Sequence, residues 1–215
     1  MIIDINDASF FYQDTAADIV NSILNLMKSG VKEHESYAAW NYDIPISDEE
    51  EKYVHFNWYF SIDRIDEMAF PFCKKYDIIG SAGRDYFDEP SIEITIILCK
   101  GLHQKKIEIL YAELFDVVAH ELHHIAQNID NNHYDYLLKE EGKLSYFLDP
   151  SEIEAFHIGI RAHAYLSDRS FEEIATSYIQ ITWPTGTESE ILRVVKAWKE
   201  TTFPIYQQNL GSSWL

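Results

Sequence analysis

Between residues 113 and 129 the apolar positions Phe115, Val118, Leu122, Ile125, Ala126 and Ile129 recur at helical spacing, while Glu113, Asp116, His120, His124 and Gln127 share the other side. The pattern predicts one continuous amphipathic helix. The same rhythm in Ala16, Ile19, Val20, Ile23, Leu24 and Met27 predicts a helix over 15–29, ended by Gly30. Val54, Phe56, Trp58, Phe60 and Ile62 alternate with His55, Asn57, Tyr59 and Ser61, the period of a half-buried strand. A second strand is predicted from Ile92, Ile94, Ile96, Ile97 and Leu98, ended by Gly101 just upstream of the long helix.

Other stretches read as interruptions. Residues 44–51 are polar and contain Pro45, which predicts a loop; 66–76 predicts a helix or irregular turn interrupted by Pro71. Gly80-Ser81-Ala82-Gly83 and Asp88-Glu89-Pro90 read as breakers. Residues 128–146, rich in Asn and Tyr, predict a loop carrying a short helical piece. Asp149-Pro150-Ser151-Glu152 then opens a helix to about Leu166, with a cap, a proline at the first position and an acid in the first turn. Ser170-Phe171-Glu172-Glu173 begins another as a capping box, and 188–203 forms a last one. No repeat, linker or low-complexity tract divides the chain. The expectation is one α+β domain over 1–215, with a helix and sheet part at about 1–128 and a helical part at about 129–215.

Composition narrows what such a domain meets. With 47% hydrophobic residues in 215 the chain can bury a full core. Its 17 basic residues face 36 acidic ones, a net charge of −19. That sign repels phosphate backbones and anionic lipid heads, and no local basic patch offsets it, so nucleic acid and membrane surfaces are not expected partners. Solubility and self-repulsion explain the acidity better than recognition of a basic substrate. Cys73 and Cys99 are too few for a disulfide framework, and the acidic start Met1-Ile2-Ile3-Asp4-Ile5-Asn6-Asp7 lacks the features of a signal peptide. The expected location is the cytoplasm, or a host's cytoplasm for a phage-encoded chain.

The predicted long helix carries His120-Glu121-Leu122-His123-His124, an H-E-x-x-H pattern. Two imidazoles one turn apart can present nitrogens to one Zn2+, and the Glu beside the first can reach the water it activates as general base. A chain of this composition shows the pattern by accident about three times in a hundred. Placement of both His on the polar face of an amphipathic helix lowers that figure, although a solvated polar face with three chance His is the alternative. His123 lies about 60° or more around the helix from each ligand, a supporting or exposed position.

A catalytic zinc needs a third protein ligand. No third His follows closely, since the next residues are Ile125-Ala126-Gln127-Asn128-Ile129. Glu152 and Glu154, on the helix that starts at Pro150, are the two candidates. The face of Glu152 carries the small residues Ala155, Gly159 and Ala162, suited to close approach. That of Glu154 carries His157, Arg161 and Asp168. Against Glu152 stands a simpler role as an acid in the first turn of its helix.

The run His120 to Gln127, followed by Pro150-Ser151-Glu152-Ile153-Glu154-Ala155, resembles the gluzincin branch of the zincin metallopeptidases. It is most similar to small members, including ones encoded by large tailed phages. The resemblance covers about residues 110–166. It implies an H-E-x-x-H helix, a Glu ligand on a second helix, a mixed sheet whose edge strand pairs with extended peptides, and hydrolysis of peptide bonds in a peptide or protein substrate. The family form is Glu-x-x-Ala followed by an Asp, Asn or Glu that orients a ligating His; here Phe156 takes that place, so orientation must come from elsewhere.

Zinc would polarise the scissile carbonyl while Glu121 takes a proton from water and passes it to the leaving amine. Donors for the developing oxyanion are available in His157, His163, Arg161, Tyr134, Tyr146 and Tyr165, though structural roles are commoner for each. Strand 92–98 is a candidate substrate-pairing edge, with an interior strand as the alternative. Two other classes remain open at this point: a zincin-like protein that binds without cutting, and a zinc hydrolase of non-peptide amides.

Overall fold

The computed structural model describes residues 13–28, 36–47, 52–65, 76–86, 89–99, 110–131 and 142–201. Within these, the side chains at 36–47, 52–55, 63–65, 99 and 128–131 are not described. The predicted segment 66–75, Gly30, Gly101, Tyr134, Phe203 and the side chains of Val54, His55 and Ile129 therefore lie outside the description.

Helix α1 (Gln13–Lys28) buries the six apolar positions that its periodicity marked. Strands β1 (Ser36–Ser47), β2 (Lys52–Ile65), β3 (Tyr76–Arg84) and β4 (Pro90–Cys99) form a mixed sheet in the order β1-β2-β4-β3. β2 and β4 run parallel; the two outer pairs are antiparallel. One face is sealed by Phe56, Trp58, Phe60 and Ile62 of β2 and Ile92, Ile94, Ile96 and Leu98 of β4, all buried. The other presents Asn57, Tyr59, Ser61, Glu93 and Thr95, half-buried or exposed.

Helix α2 (Tyr111–Asn131) packs its apolar residues Leu114, Phe115, Val118, Leu122 and Ile125 into the core formed with α1 and the sheet. Four helices follow: α3 (Lys143–Phe147), α4 (Pro150–Ser167), α5 (Phe171–Thr182) and α6 (Glu188–Glu200). The caps at Asp149 and Ser170 are those predicted, and Thr187 adds a third. Asp149 accepts from the N–H of Ser151, and Ser170 and Thr187 each close a capping box. A second core of Phe147, Phe156, Ile160, Ile174, Val194 and Trp198 holds α3 to α6 together. The described residues are thus α+β, and none of their helices is long and apolar enough to cross a membrane.

Three expectations change. Part of the predicted loop at 44–51 is strand, because β1 continues to Ser47 with Pro45 opposite Tyr53. Proline lacks a donor, and β1 is an edge strand with irregular pairing at that end, where the missing N–H is tolerated. Gly80-Ser81-Ala82-Gly83 is not a breaker but the second half of β3. Strand 92–98 is not an edge: β4 lies between β2 and β3, and β3 is the edge on that side. The mostly apolar run was the sign of an interior strand, although Glu93 and Thr95 keep one of its faces half-buried or exposed.

The helix contact that brings the two halves together is α2 against α4. Gly159 stands over Asp116, and a Cβ there would fall 2.7 Å from the Asp116 carbonyl oxygen and closer still to its Oδ1. Gly159→Ala is therefore expected to force α2 and α4 apart and to cost about 1–3 kcal/mol, read from chemical denaturation. An unchanged midpoint would contradict this packing.

Candidate metal centre

α2 places His120 and His124 one turn apart, and the first turn of α4 places Glu152 against both. The Nε2 atoms of the two His are 3.1 Å apart. Glu152 Oε2 is 3.4 Å from His120 Nε2, and Oε1 is 3.5 Å from His124 Nε2. All three residues are buried. A tetrahedral zinc with bonds of about 2.0–2.2 Å separates its ligand atoms by about 3.3–3.6 Å, so the triangle matches such an ion within a few tenths of an ångström. The chemistry of the donors agrees. Glu152 Oε2 is fully enclosed yet completes no hydrogen bond among the described residues, and two imidazole nitrogens facing each other at 3.1 Å are natural partners of a shared cation. This group could hold a metal ion.

Its electrostatics follow from burial and contact. Burial would raise the Glu152 carboxyl, but the facing imidazoles of His120 and His124 outweigh it and hold the group at about 2. Burial disfavours the charged form of His124, and Glu152 overrides that and raises it. Glu121 behaves differently: burial pushes its carboxyl up, with His120 and His124 opposing. The N–H of Ala82 on β3 also bonds to this carboxylate.

Glu121 explains one small residue of β3, Gly80. A Cβ on Gly80 would lie 2.7 Å from Glu121 Cγ and Oε1 and 2.6 Å from Val117 Cγ1. The glycine is needed because the edge strand crosses α2 beside the Glu121 carboxylate. Local sequence signals cannot separate that use of Gly from a turn.

Glu154 does not join the triangle. Its Oε2 is 3.3 Å from His123 Nε2 and 3.2 Å from Gln127 Nε2. His123 is 1% exposed, which removes the exposed option and leaves the supporting one. Phe156, where a polar group was expected, packs edge-on to His120 with ring centroids 4.5 Å apart and stacks on Trp198 at 4.2 Å. His120 is thus braced by an aromatic core.

The expected oxyanion donors divide. His157 is committed to the Trp198 carbonyl through Nδ1 at 2.6 Å, and His163 Nδ1 is 3.1 Å from Asp116 Oδ2, tying α4 to α2. Arg161 and Tyr165 are exposed on α4, and Tyr134 is outside the described residues. Tyr146 is as exposed as Tyr165, but the water lost around its phenol and then the charge of Glu152 raise it, which sets it beside the site. Tyr178 on α5 is an addition. Its phenol is raised by burial and then by the charges of Asp116, Glu152 and Glu121. Its ring packs on Phe156 at 5.4 Å. In sequence it is one aromatic of a helix with apolar periodicity and carries no mark.

Comparison with family models, curated proteins and solved structures finds no match to this chain. The assignment of ligands therefore rests on the geometry. Glu152→Gln is expected to weaken zinc binding by more than about 100-fold, whereas Glu154→Gln stays within about tenfold, because only the former faces both imidazoles. Competition against a chromophoric chelator measures both. The reverse order would make Glu154 the ligand.

Proposed function

We propose that this chain is a zinc metallopeptidase of the gluzincin type, with His120, His124 and Glu152 as ligands and Glu121 as general base. One observation carries the reading: the two His of H-E-x-x-H and a Glu from a second helix converge to 3.1–3.5 Å, with Glu121 near enough for their charges to act on its carboxyl. Two imidazoles and one carboxylate form a donor set suited to zinc with a position left open. Bound there, zinc would supply Lewis acidity toward a carbonyl and lower the pKa of water toward about 7.

The chain's own groups do the rest. Glu121, held by the Ala82 N–H, takes a proton at its carboxylate and returns it to the departing amine. Tyr146 and Tyr178 are protonated phenols at neutral pH and donate toward a developing oxyanion. Beside Glu121 runs β3, the antiparallel edge of the sheet. An extended peptide adding to that edge would lie across the metal centre, with backbone pairing holding it in register. The resemblance implies such an edge; the strand in question is β3.

Glu121→Ala is expected to lower cleavage of a peptide library by about 10²–10⁴-fold with zinc still bound. Gly80→Val should act in the same direction by displacing the Glu121 carboxylate. Mass spectrometry of the digests and metal analysis of the variants read both effects. Cleavage by Glu121→Ala at the wild-type rate, or no cleavage by zinc-loaded wild type, contradicts the proposal.

A further inference from the structure

We infer that Gln127 is the positioning residue for His124, fixing its tautomer and ring direction, and that Glu154 serves by holding Gln127. The inference rests on the zinc reading above. Gln127 Nε2 lies 3.0 Å from the carbonyl oxygen of Ser151 and 3.2 Å from Glu154 Oε2. A carbonyl oxygen and a carboxylate oxygen only accept, so the NH₂ end of the amide must face α4. Its oxygen is then turned to His124 Nδ1, at 2.9 Å. An amide oxygen only accepts as well. Nδ1 therefore carries the proton, and the lone pair sits on Nε2, the atom that faces His120 and Glu152.

The arrangement answers the question posed by Phe156. That side chain has no polar atom, and it braces the ring of His120 by contact. His124 is oriented instead from its own helix, by a residue three positions on. A glutamine so placed would swing freely if nothing held its far end. Here α4 holds it at two points, and one of them, the Ser151 carbonyl, adjoins the ligand Glu152. His123 Nε2, 3.3 Å from the same Glu154 oxygen, completes the anchor. One amide thus links a ligand on α2 to the backbone beside the ligand on α4, so helix packing and metal geometry are set together.

The test uses the full chain and zinc itself. Gln127→Met keeps the volume and loses the amide; zinc affinity, by chelator competition, is expected to fall about 10–100-fold. The melting temperature of metal-free protein should move little. The double exchange Gln127→Glu with Glu154→Gln conserves charge, restores an acceptor for His124 Nδ1–H and supplies a donor from position 154. It is expected to bind zinc within about tenfold of wild type. Long-range ¹⁵N–¹H NMR of the zinc-loaded wild type should show the His124 proton on Nδ1. Gln127→Met binding within about twofold of wild type, or a proton on Nε2, overturns the assignment while leaving the zinc site intact. If Gln127→Met does not fold, the tautomer spectrum and the double exchange decide. A wild type that binds no zinc overturns the metal reading and this inference with it.

Discussion

The structure depends on how closely α4 can approach α2. Carboxylate and imidazoles converge because residue 159 has no side chain at the crossing point, where Asp116 occupies the space a Cβ would need. From that contact the polar groups of the two helices pair along their length. Asp116 meets His163, His120 and His124 meet Glu152, and Glu154 meets His123 and Gln127. Most of these contacts pair polar atoms that would be costly to bury alone, while Glu152 Oε2 is enclosed without a completed hydrogen bond among the described residues.

Two hydrophobic cores support this seam from opposite sides. The sheet and α1 carry α2, and the aromatic cluster of α3 to α6 carries α4. Phe156 belongs to the second and packs directly on the His120 ring. A residue that would be polar in the related pattern is apolar here because its neighbours are Trp198, Phe147 and Tyr178. The third side is closed by β3, where Gly80 and the Ala82 N–H bring strand backbone against Glu121. The group of His120, His124, Glu152 and Glu121 therefore lies between helix, helix and strand.

Much of this was legible in the chain, and the reasons are specific. His120, Glu121 and His124 stand out because the H-E-x-x-H pattern fixes both residue type and spacing. Capped helix starts at Asp149 and Ser170 are local chemistry and were placed by it, while the last helix was placed without its Thr187 cap. Glu152 was recoverable only as one of a pair, since both acids lie on one short segment and the choice depends on which face turns inward; Ala155, Gly159 and Ala162 pointed the right way. What was hidden is long-range. A glycine in a strand looks like a glycine in a turn, so Gly80 gave no sign of the carboxylate it makes room for. Strand order hid β3 as the edge. The direction of the Gln127 amide depends on Ser151 and Glu154, residues more than twenty positions away.

The central claim is that His120, His124 and Glu152 together bind one zinc ion. Zinc-edge X-ray absorption on the protein loaded with one equivalent tests it most directly. The account predicts a shell of about four light atoms at about 2.0–2.2 Å, with the outer scattering of two imidazoles. A shell without imidazole, or one containing sulfur, would contradict it.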